Sequence, residues 1–126
     1  MPLLVPISVG ELLDKISILE IKAAAITAPA KQANLMRELA ALEAVRRREV
    51  AATPELAALY TELKSVNQTL WQIEDEIRQR ECRGQFDERF IELARGVYRT
   101  NDRRAVLKRR LNELTGSEIV EEKFYV

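Results

Sequence analysis

The chain has 126 residues, with 20 basic and 20 acidic side chains, no histidine and one cysteine. The length fits one domain, and a composition that is 47% hydrophobic and 32% charged is typical of a folded protein. The absence of histidine excludes Ser-His and Cys-His nucleophiles and removes the commonest zinc ligand. With four glycines and no GxGxxG or GxxxxGK[ST] pattern, glycine-rich phosphate loops are excluded as well. We expect a single helical domain over residues 1–126.

The sequence predicts a cytoplasmic protein without a membrane span. The first ten residues carry no basic segment, and two prolines interrupt their apolar run, so a signal peptide is not expected. No stretch approaches the roughly 18 consecutive apolar residues of a membrane helix. The single cysteine, Cys82, cannot form an internal disulfide, which suits a reducing compartment.

The first half of the chain predicts two helices, and only residues 3–9 have a strand-like pattern. Ser8 and Glu11 form a capping box that begins the first helix, and Pro29 ends it. This helix is apolar nearly all round, so we expect it to be buried at the centre of the fold. A second helix is expected from about 30 to 52.

The third predicted helix carries the clearest periodicity of the chain. Thr53 is its expected N-cap, Pro54 its first residue, and Gly84 its stop signal. Apolar residues recur at alternating spacings of three and four, which is a coiled-coil seam of three heptads. The seam comprises Leu56, Leu59, Leu63, Val66, Leu70, Ile73 and Ile77.

The fourth helix is expected from about 86 to 115 and is followed by Gly116. Its seam is interrupted by Thr100 and Arg104, two polar residues in the middle of the apolar stripe. The full seam comprises Phe86, Phe90, Leu93, Val97, Thr100, Arg104, Leu107, Leu111 and Leu114. The remaining tail is expected to be irregular and docked through Phe124 and Tyr125.

Short connections make sequential helices antiparallel neighbours. The predicted fold is therefore all-α, a bundle of four long antiparallel helices in two helical hairpins with coiled-coil-like seams. The seam of the third helix is longer than a small bundle needs, which favours a homodimer or a higher homo-oligomer.

Positive charge is concentrated in the fourth helix, where residues 95–110 carry seven basic side chains against Asp102 alone. An arginine in a seam is costly to bury unless it is paired. One interpretation is a site for a small anionic ligand, such as a phosphate, a nucleotide sugar or a carboxylate, with Arg104 as a bidentate donor. The candidate ligand-binding residues are Lys15, Arg95, Asn101, Arg104 and Lys108.

The alternative interpretation is a structural network of ion pairs between the first and fourth helices. The first helix is apolar except for a few charges, which would need partners inside the bundle. Under the ligand hypothesis the same carboxylates would be acid or base groups. These candidates are Glu11, Asp14, Glu20 and Glu74.

Metal ions, other cofactors and nucleic acids are not expected as partners. Glu11 and Asp14 have the spacing of a helical carboxylate pair, but no second ExxE pair faces them from another predicted helix. A formal net charge of zero argues against non-specific binding to nucleic acid, which needs an excess of basic residues.

The chain resembles a bacterial family of small uncharacterised all-helical proteins. The resemblance covers nearly the whole chain and implies a helical fold without an assigned activity. It also implies an association with cell-surface polysaccharide gene neighbourhoods. The segments that carry it are 7–22, 70–78, 97–109, 116–117 and 121–123.

Two functions follow from the sequence, and whether the protein is an enzyme stays open. The first is an oligomeric assembly or accessory module. The second is the binding or conversion of a small anionic ligand at mid-bundle. The surroundings of Arg104 distinguish them, because a cavity beside Arg104 favours the ligand and complete pairing without a cavity favours the module.

Overall fold

The computed structural model describes residues 1–125 and is a bundle of four helices. The helices are α1 (Val9–Ala25), α2 (Pro29–Glu49), α3 (Pro54–Cys82) and α4 (Glu88–Thr115). Residues 1–125 contain no strand, so the predicted all-α fold is confirmed. Within that range, no helix combines the length and the apolar character that crossing a membrane requires.

The capping signals act where the sequence places them. Ser8 Oγ accepts a hydrogen bond from the Glu11 amide at 3.0 Å. Thr53 Oγ1 accepts one from the Leu56 amide at 3.2 Å. Gly116 has a left-handed backbone, with φ of 67°, and ends α4. Side-chain caps and a glycine stop thus fix these helix ends locally.

Two predicted boundaries are wrong by two or three residues. α2 ends at Glu49, because the backbone at Val50 is already extended. α4 begins at Glu88, because Asp87 accepts a hydrogen bond from the Phe90 amide at 3.1 Å and so acts as the N-cap. Phe86 therefore precedes the helix and is 60% exposed, so it is not part of the seam.

α3 and α4 form an antiparallel hairpin, and α1 packs across it. Arg89 donates to Glu76 at 2.8 Å near the tip of the hairpin, and Arg80 donates to Asp87 at 3.0 Å. α1 contacts all three other helices, as a central buried helix should. The main core comprises Leu12, Leu13, Ile16, Leu56, Leu63, Val66, Leu107 and Leu111.

The beginning of α1 is held tightly against α4. The Gly10 amide donates to Asn112 Oδ1 at 2.6 Å, and the Val9 amide donates to Ser117 Oγ at 3.2 Å. A Cβ atom on Gly10 would lie 2.5 Å from the Lys108 carbonyl oxygen. Only glycine fits this crossing, and two of the free amides at the helix start obtain partners from α4 and the tail.

The tail after α4 is irregular and held by polar contacts. Phe124 is 89% exposed and Tyr125 is 77% exposed, so the predicted docking through these two aromatic residues is wrong. The contacts that hold the tail are Ser8 Oγ donating to Glu121 at 2.8 Å, Arg109 donating to Glu122 at 3.3 Å, and Lys123 contacting Asp102.

Candidate functional site

The centre of the bundle contains a buried ion pair between α1 and α4. Asp14 is 1% exposed, because its neighbours Leu13 and Ile16 bury this face of α1 in the core. Arg104 donates from Nε to Asp14 Oδ1 at 2.9 Å and from Nη2 to Oδ2 at 2.5 Å. This bidentate geometry is the strong form of an arginine–carboxylate pair.

A second ion pair lies one helical turn away. Lys108 Nζ donates to Glu11 at 2.5 Å and lies 3.9 Å from Asp14 Oδ2. Lys15 Nζ lies 3.9 Å from Glu11 on the more exposed side of α1. Arg104 and Lys108 of α4 are therefore neutralised within the bundle by Asp14 and Glu11 of α1.

Asp14 stays ionised at neutral pH. Burial by itself would raise the pKa of its carboxyl group. The hydrogen bonds from Arg104 and Asn67, with the charges of Arg104 and Lys108, outweigh burial and lower the pKa below its ordinary value of 3.8. The hydrogen bond to Asp14 raises the pKa of Arg104 in turn. A carboxylate held in this way is a weak base, so Asp14 is unsuited to proton transfer near neutral pH.

Asn67 of α3 joins this network but leaves one buried atom without a partner. Its Nδ2 donates to Asp14 Oδ1 at 3.0 Å and to Ser17 Oγ at 2.8 Å. Ser17 Oγ donates in turn to the Asp14 carbonyl oxygen at 2.8 Å. Asn67 is 4% exposed, and its Oδ1 accepts no hydrogen bond from residues 1–125. An unpartnered buried acceptor costs about 1–3 kcal/mol, so its retention calls for an explanation.

A cavity of about 360 Å³ lies between α1 and α3, beside Asn67 and Arg104. This volume is within the range of small-molecule sites. Trp71, the only tryptophan of the chain, is 38% exposed and forms part of the wall. The other apolar lining residues are Ile18, Ile21 and Leu70, and the charged ones are Lys22, Glu74, Asp75 and Arg78.

Sequence reasoning missed Asn67, although a signal for it exists. Asn67 directly follows Val66 and precedes Leu70 by three residues, so it flanks the α3 seam on the side that faces the bundle. A polar residue at that place is the α3 counterpart of Arg104 in the α4 seam. Its hydrogen-bond partners depend on α1, which the periodicity of α3 does not describe.

The predicted ligand-binding residues are only partly brought together. Arg104 and Lys108 lie side by side, and Asn101 Oδ1 accepts from Arg104 Nη1 at 3.3 Å. Lys15 reaches the group only through Glu11. Arg95 is exposed and forms no ion pair with residues 1–125, so it lies apart from the cluster.

Two of the four predicted carboxylates also lie outside the Asp14 network. Glu20 accepts from the hydroxyl of Tyr60 and from Lys64, the latter at 3.1 Å. Glu74 accepts from Arg78 at 3.3 Å on the charged rim of the cavity. The cavity thus brings Glu74 near Arg104, whereas Glu20 belongs to a separate α1–α3 contact.

A larger groove of about 580 Å³ lies between α4 and the tail. Its charged groups are matched with each other, since Arg109 pairs with Glu122 and Lys123 with Asp102. Most of the charges that line this groove therefore already have partners within the protein.

Comparison with known proteins identifies the family. A family model described as "Family of unknown function (DUF6165)" matches residues 3–126. No curated protein and no solved structure matches the chain. The match covers nearly the whole sequence and agrees with the expected resemblance to a family without an assigned activity. The chain belongs to the DUF6165 family.

Proposed function

We propose that this protein binds a small organic molecule in the cavity beside the Asp14–Arg104 pair. The observation that carries the proposal is the cavity itself, whose walls are mainly apolar and which Arg104 lines beside its pair with Asp14. A few polar groups that converge on an apolar cavity are the usual composition of a ligand site.

Arg104 retains hydrogen-bonding capacity toward a ligand. Three of its N–H groups are used, by the two oxygens of Asp14 and by Asn101. A guanidinium group has five donors, so two remain. Its positive charge is balanced by Asp14, so the ion pair as a whole would offer a ligand two hydrogen-bond donors and no net charge.

These ion pairs make the anionic ligand that the sequence suggested less favourable. A phosphate, nucleotide sugar or carboxylate would need its charge balanced by Lys22 and Arg78 at the rim, because the two cations of the centre are already paired. Of these rim cations, Arg78 is already engaged by Glu74. Because Asp14 is held ionised, the proposal concerns binding and not acid–base chemistry by Asp14.

Calorimetric titration of the full chain tests this function with three probes that share a phenyl group: 3-phenylpropanoate, phenyl phosphate and 3-phenylpropanamide. The fluorescence of Trp71 provides a local signal, because no other tryptophan contributes. We expect at least one probe to bind with a change in that signal. The absence of binding by all three would refute the proposal.

A cavity-filling variant localises the binding. Ile18→Phe extends a lining side chain into the cavity and is expected to abolish binding. Ile91→Phe is the matched control, because Ile91 is 49% exposed on α4 and does not line this cavity. Equal loss of binding in both variants would place the ligand elsewhere.

Homo-oligomeric assembly is the second candidate function. Beyond its contact with the α1 core, the α3 seam continues through Leu70, Ile73 and Ile77, which are only half buried. Ile91 and Tyr98 of α4 are 49% and 54% exposed. A second copy covering these residues would explain a seam that is longer than the bundle needs.

Sedimentation velocity at micromolar concentration tests assembly. A dimer has twice the 14.4 kDa mass of the chain, and Ile91→Glu is expected to dissociate it. Met36→Glu is the matched control, because Met36 is exposed to a similar degree on α2. A 14.4 kDa species in the unmodified protein would refute assembly.

A cytoplasmic location is part of the proposal. It is supported by Cys82, which is free and exposed, since such a thiol persists in a reducing compartment. The single-domain organisation, the bacterial origin and the polysaccharide gene neighbourhood that the resemblance implies stay predictions.

A further inference from the structure

We infer that the side of the α3–α4 hairpin that faces away from α1 binds the same side of a second copy of the chain. In this dimer, Glu62 of each copy contacts Arg103 and Arg110 of the other, around a two-fold axis parallel to the helices. The inference is independent of a ligand in the cavity, which lies on the α1 side of the hairpin. It also uses a different surface from the apolar residues of the second candidate function.

This side of the hairpin is not covered by any helix of residues 1–125. Arg104 and Lys108 extend from α4 to carboxylates of α1. Val106 lies between them in the sequence, about 200° around the helix from each, and is 50% exposed. Among the helices, α2 contacts α1 alone, so it does not cover the hairpin. The hairpin therefore has one side packed on α1 and one side open.

A groove of about 480 Å³ lies between α3 and α4 on the open side. Its lining residues all belong to these two helices. Val66 and Leu107 form an apolar floor, since they are 3% and 6% exposed. The groove is therefore a surface of the hairpin itself, with room for the side chains of a partner.

The two rims of this groove carry opposite charges. Glu62 is on the α3 rim, Arg103 and Arg110 are on the α4 rim, and all three are exposed. None of them forms an ion pair with residues 1–125, whereas Asp102, which also lines the groove, is paired with the tail. A small anion attracted by the arginines would also meet the Glu62 carboxylate. A second copy instead presents both signs of charge in the reverse order.

The charges of the two rims lie at the same height along the hairpin. Gly96 of α4 lies beside Ile73 of α3, because a Cβ atom on Gly96 would be 3.2 Å from the Ile73 side chain. Glu62 precedes Ile73 by 11 residues, and residue 107 follows Gly96 by 11. Because antiparallel helices rise equally per residue, Glu62 is level with residue 107, about one helical turn from each of the two arginines.

A two-fold axis parallel to the helices makes this arrangement self-complementary. The rotation keeps every residue at its own height and lays α3 of the second copy antiparallel on α4. Glu62 of the second copy then lies between Arg103 and Arg110, and the same contact recurs on the other side of the axis. Because the chain has a net charge of zero, the two copies do not repel one another as a whole.

The side chains around Glu62 leave space for the second copy. Glu62, Ser65, Val66 and Thr69 follow one another at the spacing of a hole in knobs-into-holes packing. Ser65 and Thr69 are small and exposed, so a helix can approach them closely. Val106 of the second copy is within one residue of the height of Glu62, and its exposed side chain can fill this hole.

The open side is large enough for a stable dimer. α3 and α4 have 29 and 28 residues. At about 1.5 Å per residue the hairpin is about 40 Å long, and two helices side by side are about 20 Å wide. The side thus offers roughly 800 Å², which is what a stable interface buries on each partner.

Charge reversal tests the interface. Glu62→Arg leaves only positive charge on the three rim positions, and the double variant Arg103→Glu, Arg110→Glu leaves only negative charge. We expect sedimentation velocity to show a dimer of the unmodified chain. Each variant alone should lose at least about a hundredfold in dimer affinity, because the two-fold axis repeats every repulsion. All three positions are exposed, so the variants should fold, which circular dichroism checks.

An equimolar mixture of the two variants gives the sharpest result. In the mixed dimer a positive rim set meets a negative one at both symmetric contacts, so the affinity should return. Native mass spectrometry distinguishes the mixed dimer from each homodimer by mass, and we expect the mixed dimer to predominate. A mixture that stays monomeric, or variants that each dimerise as the unmodified chain does, would overturn the inference.

Glu38→Arg is the matched control, because Glu38 is exposed on α2, which contacts α1 alone. Its dimer affinity should equal that of the unmodified chain, and a loss as large as that of Glu62→Arg would overturn the inference. An unmodified chain that is monomeric at high micromolar concentration would overturn it together with the second candidate function. A dimer that resists both rim variants but dissociates with Ile91→Glu would overturn it and support that candidate. Ligand binding in the cavity is unaffected by any of these outcomes.

Discussion

Two buried asparagines face α1 from the two helices of the α3–α4 hairpin, and they differ in how completely their side chains are hydrogen-bonded. Asn112 is 2% exposed; its Oδ1 accepts from the Gly10 amide at 2.6 Å, and its Nδ2 donates to Glu121 at 3.5 Å. Asn67 is 4% exposed; its Nδ2 is fully used, and its Oδ1 has no partner among residues 1–125.

The difference separates a closed region of the bundle from an open one. The Asn112 side chain is hydrogen-bonded both to the start of α1 and to the tail, and Gly10 allows α1 to lie close to α4. At Asn67, the network stops at the wall of a 360 Å³ cavity. The complete hydrogen bonding of Asn112 fixes the position of α1, whereas Asn67 keeps one buried acceptor without a partner, at a cost in stability.

The largest expected effect comes from breaking the pair beside Asn67. Arg104→Met leaves the carboxylate of Asp14 buried without its bidentate partner, so we expect a loss of about 3–5 kcal/mol in the free energy of unfolding. Chemical denaturation measures this loss. Arg78→Met is the control, because the Arg78 side chain is 81% exposed in its pair with Glu74. A similar, small effect of both substitutions would contradict a buried network.

The next effect tests the closed region at Gly10. Gly10→Ala places a Cβ atom 2.5 Å from the Lys108 carbonyl oxygen and 2.9 Å from Asn112 Oδ1. Both neighbours are held in place, so we expect a loss of about 2–3 kcal/mol in the free energy of unfolding.

Gly96→Ala is the matched control for Gly10→Ala. Its Cβ atom would meet only the end of the Ile73 side chain, at 3.2 Å, which can yield. The alanine also gains about 1 kcal/mol of helix propensity, so the net change in unfolding free energy should be near zero. Equal melting temperatures of the two variants would show that the α1–α4 crossing is looser than described.

A smaller effect is the dependence of stability on pH. The native pKa of Asp14 lies below its ordinary value of 3.8. Its ionised form therefore stabilises the fold at higher pH, and this contribution is lost as the pH falls below 3.8 and through the lowered native pKa. One such group changes the free energy of unfolding by at most about 1.4 kcal/mol per pH unit.

Comparison of the unmodified protein with Asp14→Asn isolates this contribution. The variant should show a shallower loss of unfolding free energy between neutral and acidic pH in denaturant titrations. Identical slopes would mean that Asp14 has the same pKa in the folded and unfolded chains.

The smallest effect concerns the tail. Ser117→Ala removes the acceptor of the Val9 amide, and we expect a loss of about 0.5–1 kcal/mol in the free energy of unfolding. Ser65→Ala, at an exposed position of α3, serves as the control. Unfolding monitored by circular dichroism compares the two, and a stability equal to that of the control would show that the tail does not support the start of α1.

The sequence by itself determined the helices and most of their ends. Heptad spacing in α3, the capping residues Ser8 and Thr53, and the stop at Gly116 act within a few residues along the chain. Local signals of this kind survive in any tertiary context, because the groups that satisfy them are covalently close. Arg104 could be recognised from the sequence for the same reason, because it interrupts the apolar periodicity of α4.

Tertiary structure alone decided which polar groups meet. Asn67 and Arg104, which bind Asp14, are 53 and 90 residues away along the chain, and the tertiary contacts of Gly10 and Ser8 lie beyond residue 107. The composition shows a net charge of zero, with 20 basic and 20 acidic residues. It does not show that Arg104 pairs with Asp14 and Lys108 with Glu11. The unpartnered acceptor of Asn67 and the cavity beside it arise where α1, α3 and α4 pack together. They depend on the relative positions of all three helices, which the pattern of any one helix does not describe.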